Sequence, residues 1–272
     1  MTRKYTFTGE TKILWGYTLH RIIATRDFGK VKKDQLGGWI GEELNLSHEG
    51  LAWVGDEAKV FGRALVLDNA KVLGNSRVYN KAVVRGNACI KESASVSGIS
   101  LVSGDSFVTD SANVSDGAVI FGNAHISGTA CIFDGAMVYM DVCVRGNAKV
   151  RGSARIYGNA SISGDVIVKE NACICGYTYV TGGAVVKSDA LISQDSHICW
   201  FSRVGSELGT LTAYLSKNKD IRITRGCFDG TLSEFEKAVR KKHRSSKISK
   251  EYELLIQFLR IRFEDYIEKV GS

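Results

Sequence analysis

The hydrophobic positions of this chain follow a six-residue period through its central part. From Val60 to Val204 every sixth residue is valine or isoleucine, at 25 successive positions, and Val54 extends the series by one. The residue two places before each is small, and it is alanine at 17 of the 25 positions. Residues i and i+2 of a strand face the same side. The pattern therefore predicts short strands whose small and β-branched side chains share one interior.

The residues that follow each strand predict regular corners. Two residues after the β-branched position, 13 of 24 positions are glycine, often followed by asparagine or aspartate as in Gly74-Asn75 and Gly146-Asn147. Both residue types tolerate a positive φ, so the pair is expected to turn the chain. Three hexapeptides close one turn of 18 residues. The prediction is an all-β solenoid, a parallel β-helix of about eight coils stacked at about 4.8 Å.

The pattern divides the chain into three parts, because a solenoid needs caps over its exposed sheet edges. Residues 1–53 are predicted to form a small N-terminal β cap, with strands near Ile13–Tyr17 and Leu19–Ala24. Residues 54–206 form the β-helix. Residues 207–272 form an appendage with a C-terminal hairpin and two helices, one from a capping box at Thr231 to about His243 and one from about Ser249 to Lys269.

Repeats of the form V-x-G-N-A-x resemble those of the hexapeptide-repeat proteins, and this resemblance implies a left-handed β-helix. The run RIIATRDFGKVKKDQLGGWI…NLSHEGLAWV resembles the N-terminal region of the YdcK-like group, bacterial β-helix proteins to which acetyltransferase activity is attributed. The tail LTAY…GCFDGTLSEFEKAV is similar to tails of phage and prophage hexapeptide proteins. The family resemblance also implies homo-oligomers, with trimers favoured.

Outward side chains stack in columns at 18-residue spacing, and one pair of columns is apolar. We call this side the apolar face. Its predicted interface residues are Leu65, Val83, Leu101, Val119, Phe121, Met137, Tyr139, Tyr157 and Leu191. An exposed apolar surface of this length usually marks an interface. Three interpretations are possible: the C-terminal helices or the N-terminal segment cover this face, copies of the chain associate through it, or it binds a partner protein or a lipid.

A second side, the cationic face, is predicted to bind an anion. Its column runs through Phe61, Tyr79, Ser97, Ser115 and Phe133 to three cations, and the predicted ligand-binding residues are Lys149, Arg151, Lys169, Lys187 and Arg203. Cations that repeat at about 4.8 Å repel one another, and a nucleotide or CoA phosphate would relieve that repulsion. Pairing with acids elsewhere in the chain is the alternative interpretation.

The third side, the histidine face, contains the candidate for catalysis. The resemblance to hexapeptide acyltransferases implies that a histidine acts as general base and activates a substrate hydroxyl or amine near the acyl-CoA thioester. His125 is the candidate for this role. The repeat contains no insertion between residues 54 and 204 that could form a substrate lid. The seven cysteines show no zinc-like spacing, so we expect reduced thiols and no metal site.

Three functions follow as hypotheses. The first is a non-catalytic binding protein, such as a phage or prophage accessory protein that sequesters a nucleotide or blocks a host protein; it needs no cofactor. The second is an acetyl-CoA-dependent acyltransferase. The third is a self-assembling structural protein, against which the two distinct ends argue.

Composition narrows the expected partners and location of the protein but indicates no particular reaction. The chain has 272 residues, a formal charge of +7 and no proline, which suits a fold whose backbone N–H groups join ladders. The basic stretch from Lys237 to Lys250 contains no interleaved aromatic residue, so a nucleic-acid partner is not favoured. With no long apolar run and no signal peptide, we expect a cytoplasmic protein without a membrane partner.

Overall fold

The six-residue repeat folds as the predicted parallel β-solenoid, with about nine turns in place of the expected eight. The structure is a computed structural model that describes residues 3–244 and 246–267. Consecutive rungs pair in parallel at a spacing of 18 residues, as in Cys89 with Phe107 and Val119 with Met137. The alanine and the valine or isoleucine of each repeat point inward and are fully buried, so one continuous apolar core runs along the axis.

Two-residue strands form most rungs of the three sheets. The cationic face contains Lys59–Val60, Arg77–Val78, Ser95–Val96, Asn113–Val114, Cys131–Ile132, Lys149–Val150, Ile167–Val168 and Val185–Val186. The histidine face contains Trp53–Val54, Lys71–Val72, Cys89–Ile90, Phe107–Val108, His125–Ile126, Cys143–Val144, Ser161–Ile162 and Tyr179–Val180. The apolar face contains Leu65–Val66, Val83–Val84, Leu101–Val102, Val119–Gly122, Met137–Met140, Arg155–Ile156, Cys173–Ile174 and Leu191–Ile192.

The corners depend on a left-handed residue two positions after each buried valine or isoleucine. All of these positions from Gly62 to Ser188 have positive φ; thirteen are glycine and the other nine include aspartate, asparagine and glutamate. Several of the acids also cap the next coil. The carboxylate of Asp68 accepts a hydrogen bond from the backbone N–H of Gly86 at 3.0 Å, and that of Asp110 from Gly128 at 2.7 Å. These backbone hydrogen bonds lower the pKa of both carboxyl groups.

The asparagine that follows the glycine has a different role from the predicted one. Gly86 has a φ of 67°, whereas Asn87 is not among the residues of positive φ. The side chain of Asn87 accepts from Asn69 at 3.0 Å and donates to Asp105 at 2.8 Å. The asparagine therefore belongs to a side-chain ladder that joins successive coils, and the glycine alone makes the left-handed turn.

Met140 is an exception among these corners, and its replacement by glycine is expected to stabilise the protein. Its φ is 67° and its side chain is 50% exposed. A left-handed conformation costs an L-residue about 1–2 kcal/mol, and glycine would relieve that cost. The greater conformational entropy that glycine loses on folding offsets part of this stabilisation. We expect Met140→Gly to raise the free energy of unfolding by about 0.5–1 kcal/mol, measured as a higher urea midpoint. Met137→Gly on the same strand is the control and should lower the midpoint; a Met140→Gly midpoint at or below wild type would contradict the prediction.

The N-terminal segment forms a hairpin that extends the solenoid. Strand β1 (Tyr5–Leu14) pairs antiparallel with β2 (Tyr17–Ala24), which pairs antiparallel with β3 (Leu36–Ile40). The strand predicted at Ile13–Tyr17 is wrong, because Trp15 and Gly16 have positive φ and make the hairpin turn. Strand β3 then pairs in parallel with Lys59–Val60, and a short 3-10 helix (Glu43–Asn45) follows it. The first rung of the solenoid thus precedes the repeat seen in the sequence.

The C-terminal segment is larger than the predicted hairpin. The strands Gly209–Leu215 and Ile221–Arg225 form that hairpin, but they are the centre of a four-stranded antiparallel sheet with Ile198–Val204 and Phe228–Thr231. Parallel pairing therefore ends at Ile192, although the six-residue pattern continues to Val204. The tyrosine hydroxyl of Tyr214 accepts from the backbone N–H of Lys187 at 3.3 Å, which places this sheet over the last coil.

Helices pack on the C-terminal sheet and complete a second core. Helix α1 (Leu232–His243) begins at the predicted capping box, in which Glu234 N–H donates to the Thr231 hydroxyl at 3.2 Å. Helix α2 (Lys247–Arg262) is followed by the short α3 (Glu264–Ile267). The predicted end of the second helix at Lys269 lies outside the described residues. The buried members of this core are Val204, Leu211, Ala213, Leu215, Ile221, Ile223, Leu232, Phe235, Val239, Tyr252, Ile256, Leu259 and Phe263.

Candidate binding surfaces

The apolar face keeps the column that the sequence predicts. Neighbouring rungs bring Leu101, Val119 and Met137 into direct register. All nine predicted interface residues, Leu65, Val83, Leu101, Val119, Phe121, Met137, Tyr139, Tyr157 and Leu191, are half-buried. Arg155 and Cys173 interrupt the column between Met137 and Leu191. The side chains therefore screen one another along the stack and still present an apolar surface.

Three aromatic rings stack at the centre of this face. The Phe121 and Tyr139 rings are 4.8 Å apart and nearly parallel, and the Tyr139 and Tyr157 rings are 5.1 Å apart with an angle of 8° between them. Hydrogen bonding to the Cys175 and Cys173 thiols raises the pKa of Tyr157, and burial raises the pKa of Tyr139. The phenols are therefore neutral, and the stack is an apolar, rigid surface with hydroxyl groups at its rim.

Among residues 3–244 and 246–267, the main contacts of the helices lie away from the apolar face, contrary to one interpretation of the sequence. Helices α1 and α2 contact one another, and α1 contacts the C-terminal strands Ile221–Arg225 and Phe228–Thr231. The N-terminal hairpin packs on the cationic face, where the Phe61 ring lies 5.2 Å from Tyr17. The N-terminal hairpin thus packs on the cationic face, and the C-terminal sheet packs on the last rungs of the solenoid, including Leu191–Ile192 at the end of the apolar face.

The N-terminal hairpin covers the first coils of the cationic face. Phe61, which the sequence places outward, is buried there against Trp15, Tyr17 and Tyr79. Glu57 fixes the hairpin, because its carboxylate accepts hydrogen bonds from Lys12 at 3.1 Å, from the Trp39 indole at 3.0 Å and from Arg21. The Arg21 guanidinium is the main reason that the pKa of Glu57 falls to about 2.

The predicted anion-binding residues do not share one environment. Lys149 and Arg151 are both exposed and lie on either side of the inward-facing Val150 of one rung. Lys169 lies 3.4 Å from Glu170, and Lys187 lies 3.2 Å from Asp229 of the C-terminal sheet. Arg203 is exposed on the antiparallel strand Ile198–Val204, outside the solenoid column. Acids therefore already neutralise two members of the column, and anion binding at the others stays a prediction.

His125 is exposed at the middle of the histidine face. Its Nε2 atom lies 3.4 Å from the Thr109 hydroxyl, and its ring contacts the edge of Phe107 at 6.0 Å between centroids. Cys143 is its neighbour on the next rung. A general base is usually oriented by a hydrogen bond to a carboxylate or carbonyl group. Thr109 is the hydrogen-bond partner that the structure gives to this imidazole.

Two surfaces in the C-terminal module are not among the sites predicted from the sequence. The first is a stripe on α2, where Leu254, Phe258 and Ile261 are 67%, 47% and 73% exposed. Their spacing of four and three residues is the signal that could have revealed it; the prediction used only the stripe that packs inward. The second is a cleft between the C-terminal sheet and the two helices α1 and α2, which no local pattern predicts because four separate segments line it.

Other classes of site receive no support from the described residues. Residues 3–244 and 246–267 contain no group of three or more histidine, cysteine, aspartate or glutamate side chains placed to hold a metal ion. In the same ranges no helix is long and apolar enough to span a bilayer. All seven cysteines are free thiols.

Comparison with known proteins gives one partial similarity. No family model matches the chain. Over 59 residues it is 41% identical to a protein of Escherichia coli (strain K12) that is named "Uncharacterized acetyltransferase YdcK". The match spans 21% of this chain and 18% of that relative. Together with the solenoid, it agrees with the resemblance to hexapeptide-repeat β-helix proteins, and the resemblance of the tail to phage proteins stays a prediction.

Proposed function

We propose that this chain is a non-catalytic binding protein that uses its solenoid as a rigid scaffold and its apolar face as the contact surface. The observation that carries the proposal is the column of half-buried apolar side chains between Leu65 and Leu191, which Arg155 and Cys173 interrupt, with the stacked rings of Phe121, Tyr139 and Tyr157 at its centre. Rigid aromatic side chains are enriched in protein interfaces because they bury a large area at a small entropy cost.

The size of this surface supports a protein partner. Seven rung spacings of about 4.8 Å separate Leu65 from Leu191, and the two outward columns of the face together span about four residues, or about 13 Å, so the area is roughly 450 Å². The largest apolar patch on a typical monomer is about 300–600 Å² and often functional. The face is built from one flat sheet, so another flat surface is its natural complement.

The first partner that we propose is a further copy of the chain, with three copies meeting through their apolar faces. The solenoid is straight and repeats the same spacing on every copy, so apolar columns of two chains can lie in register over their full length. A host protein blocked by this face, in the manner of a phage accessory protein, is the heterologous version of the same proposal.

Light scattering coupled to size-exclusion chromatography tests the proposal. The wild-type chain is expected to have about three times the monomer mass of 29.7 kDa. Tyr139→Glu places a charge in the centre of the ring stack and should give monomers, because an unpaired buried charge costs several kcal/mol. Ser127→Glu, an outward substitution on the histidine face, is the matched control and should keep the wild-type mass.

Two results would overturn the self-association. The first is a monomer mass for the wild-type chain at 100 µM. The partner of the apolar face would then have to be another protein. The second is an unchanged mass for Tyr139→Glu together with dissociation by Leu254→Glu, which would assign the contact to the exposed stripe of α2. Circular dichroism must show the same β signal for every variant.

Acyl transfer is the second candidate, and the name of the Escherichia coli relative together with the exposed position of His125 favours it. Thermal unfolding with acetyl-CoA separates it from the first, since a ligand at a hundred times Kd stabilises by about 2.7 kcal/mol. Stabilisation by acetyl-CoA that is lost in His125→Ala would support acyl transfer. Stabilisation by nucleotides that is lost in Arg151→Ala would support sequestration on the cationic face.

A further inference from the structure

A cleft of about 320 Å³ lies in the C-terminal module, apart from the surfaces of the solenoid. Four segments line it. The loop after Val204 contributes Ser206 and Glu207, and the turn between the last two strands, with the adjoining strand ends, contributes Arg225, Cys227 and Phe228. Helix α1 contributes Phe235, Ala238, Val239, Lys242 and His243, and helix α2 contributes Tyr252. Clefts of about 300–1,000 Å³ are the usual size of small-molecule sites in proteins.

One wall of the cleft is aromatic and preformed. The rings of Phe228 and Phe235 are 5.1 Å apart in an edge contact, and Phe235 stands perpendicular to Tyr252 at 5.3 Å. Phe235, Val239 and Tyr252 are buried members of the C-terminal core, so their positions are fixed by packing. A ligand with an apolar body would meet a rigid surface there.

Arg225 supplies the charge of the cleft. Its side chain is only 9% exposed. One terminal nitrogen donates to the carbonyl of Val204 at 2.6 Å, and the other lies 3.7 Å from the carboxylate of Glu207. The buried Nε has no hydrogen-bond partner among the described residues. A buried guanidinium that is only partly paired is costly, so the site is poised for an anion.

Glu207 is a weak partner for this guanidinium. Its side chain is 71% exposed, and 3.7 Å is longer than a hydrogen bond. An anion that enters the cleft can therefore take its place while Glu207 turns to solvent. Lys242, an exposed residue in the last turn of α1, also lines the cleft and adds a second positive charge to it.

We propose that this cleft binds a small organic anion with an apolar body. Its carboxylate or phosphate group pairs with the Arg225 guanidinium and the Lys242 ammonium, and its body lies against Phe228, Phe235 and Val239. The planar fork of an arginine guanidinium matches carboxylate and phosphate geometry, and hydrogen bonds between charged groups are about twice as strong as those between neutral groups. The site is separate from the apolar face and does not depend on the proposed function.

Isothermal titration of the full chain with phenyl phosphate and with phenylacetate tests this site, and benzyl alcohol is the neutral ligand of matched shape. Both anions are expected to bind at least tenfold more tightly than the alcohol. The comparison of the two anions distinguishes a phosphate ligand from a carboxylate ligand. Equal affinity of all three compounds would overturn the proposal, because the charge of Arg225 would then have no effect.

Substitutions distinguish anion binding in this cleft from nonspecific electrostatic binding to a basic protein. Arg225→Met should abolish binding of the anions. Because Arg225 also supports the chain at Val204, two exposed positions provide tests that leave the fold intact. Lys242→Met should weaken binding about threefold or more, and Glu207→Gln should tighten it about threefold, since a competing carboxylate is removed.

The matched controls are Lys237→Met on the same helix and Arg151→Met on the solenoid, both of which should bind as the wild-type chain does. Equal loss of affinity in Lys237→Met and Lys242→Met would overturn the proposal in favour of diffuse attraction. A loss of affinity in Arg151→Met would indicate that the anion binds on the cationic face instead. Weaker binding by Glu207→Gln would contradict the displacement of that carboxylate.

Discussion

Ile126→Ala is expected to lower the free energy of unfolding by about 3 kcal/mol, within the range of about 2–5 kcal/mol for large-to-small substitutions in cores. Ile126 is fully buried in the middle of the solenoid, with Val108 and Val144 on the adjacent rungs. The coils above and below hold their spacing through the backbone ladder, so the cavity cannot close by local collapse. Guanidinium unfolding followed by circular dichroism measures the change.

The control for this prediction removes the same atoms from an outward position. Ile167 lies on the cationic face with a half-buried side chain, and its neighbour Val168 faces inward. Ile167→Ala should cost less than about 1 kcal/mol, because less apolar area is lost from the protein interior. Equal midpoints for the two variants would show that inward and outward positions do not differ as the structure requires.

Gly98→Ala is expected to destabilise the protein by about 2–3 kcal/mol although it adds a single methyl group. Gly98 has a φ of 69°, a conformation that costs an alanine about 1–2 kcal/mol. A Cβ atom there would lie 2.6 Å from the backbone nitrogen of Asp116 on the next coil. Backbone cannot move aside as a side chain can, so the coil must shift and strain the ladder. The guanidinium midpoint again reports the effect.

Gly135→Ala is the matched control on the same solenoid. Gly135 is not among the glycines of positive φ, and its nearest neighbour would be the carbonyl oxygen of Gly152 at an ordinary 3.5 Å. That substitution should be neutral or stabilising by up to about 1 kcal/mol, because alanine has fewer unfolded conformations. A similar loss in both variants would mean that the corner conformation at Gly98 is not the cause.

The two proposals assign different roles to the two parts of the molecule. The solenoid is a stack of identical rungs and offers flat columns, which suit a macromolecular surface. The C-terminal module brings distant segments together and encloses a cleft, which suits a small ligand. Lys187 and Asp229 form an ion pair at 3.2 Å where the two parts meet, so the module rests on the last coil through charge as well as hydrogen bonds.

The charged residues of the candidate sites show which neighbours the 18-residue spacing can predict and which it cannot. The sequence placed Lys169 and Lys187 correctly on one face, since 18-residue spacing fixes which side chains are neighbours. It could not place Asp229 beside Lys187, because that contact joins residues that are 42 positions apart and depends on how the C-terminal sheet packs. The buried, partly paired state of Arg225 likewise arises only when the loop, the turn and the helices meet.

The sequence by itself determined the parallel solenoid, its inward residues, its three faces and the start of α1. Each of these follows from local rules: the two-residue alternation of a strand, the left-handed corner, and the capping box. Only the tertiary structure decided the two ends. Strand β3 joins the ladder before the repeat begins, and Ile198–Val204 leaves it while the repeat continues, because antiparallel pairing with Gly209–Leu215 replaces the missing next coil. Hydrogen bonding to partners far along the chain, rather than the side-chain pattern, sets where a ladder stops.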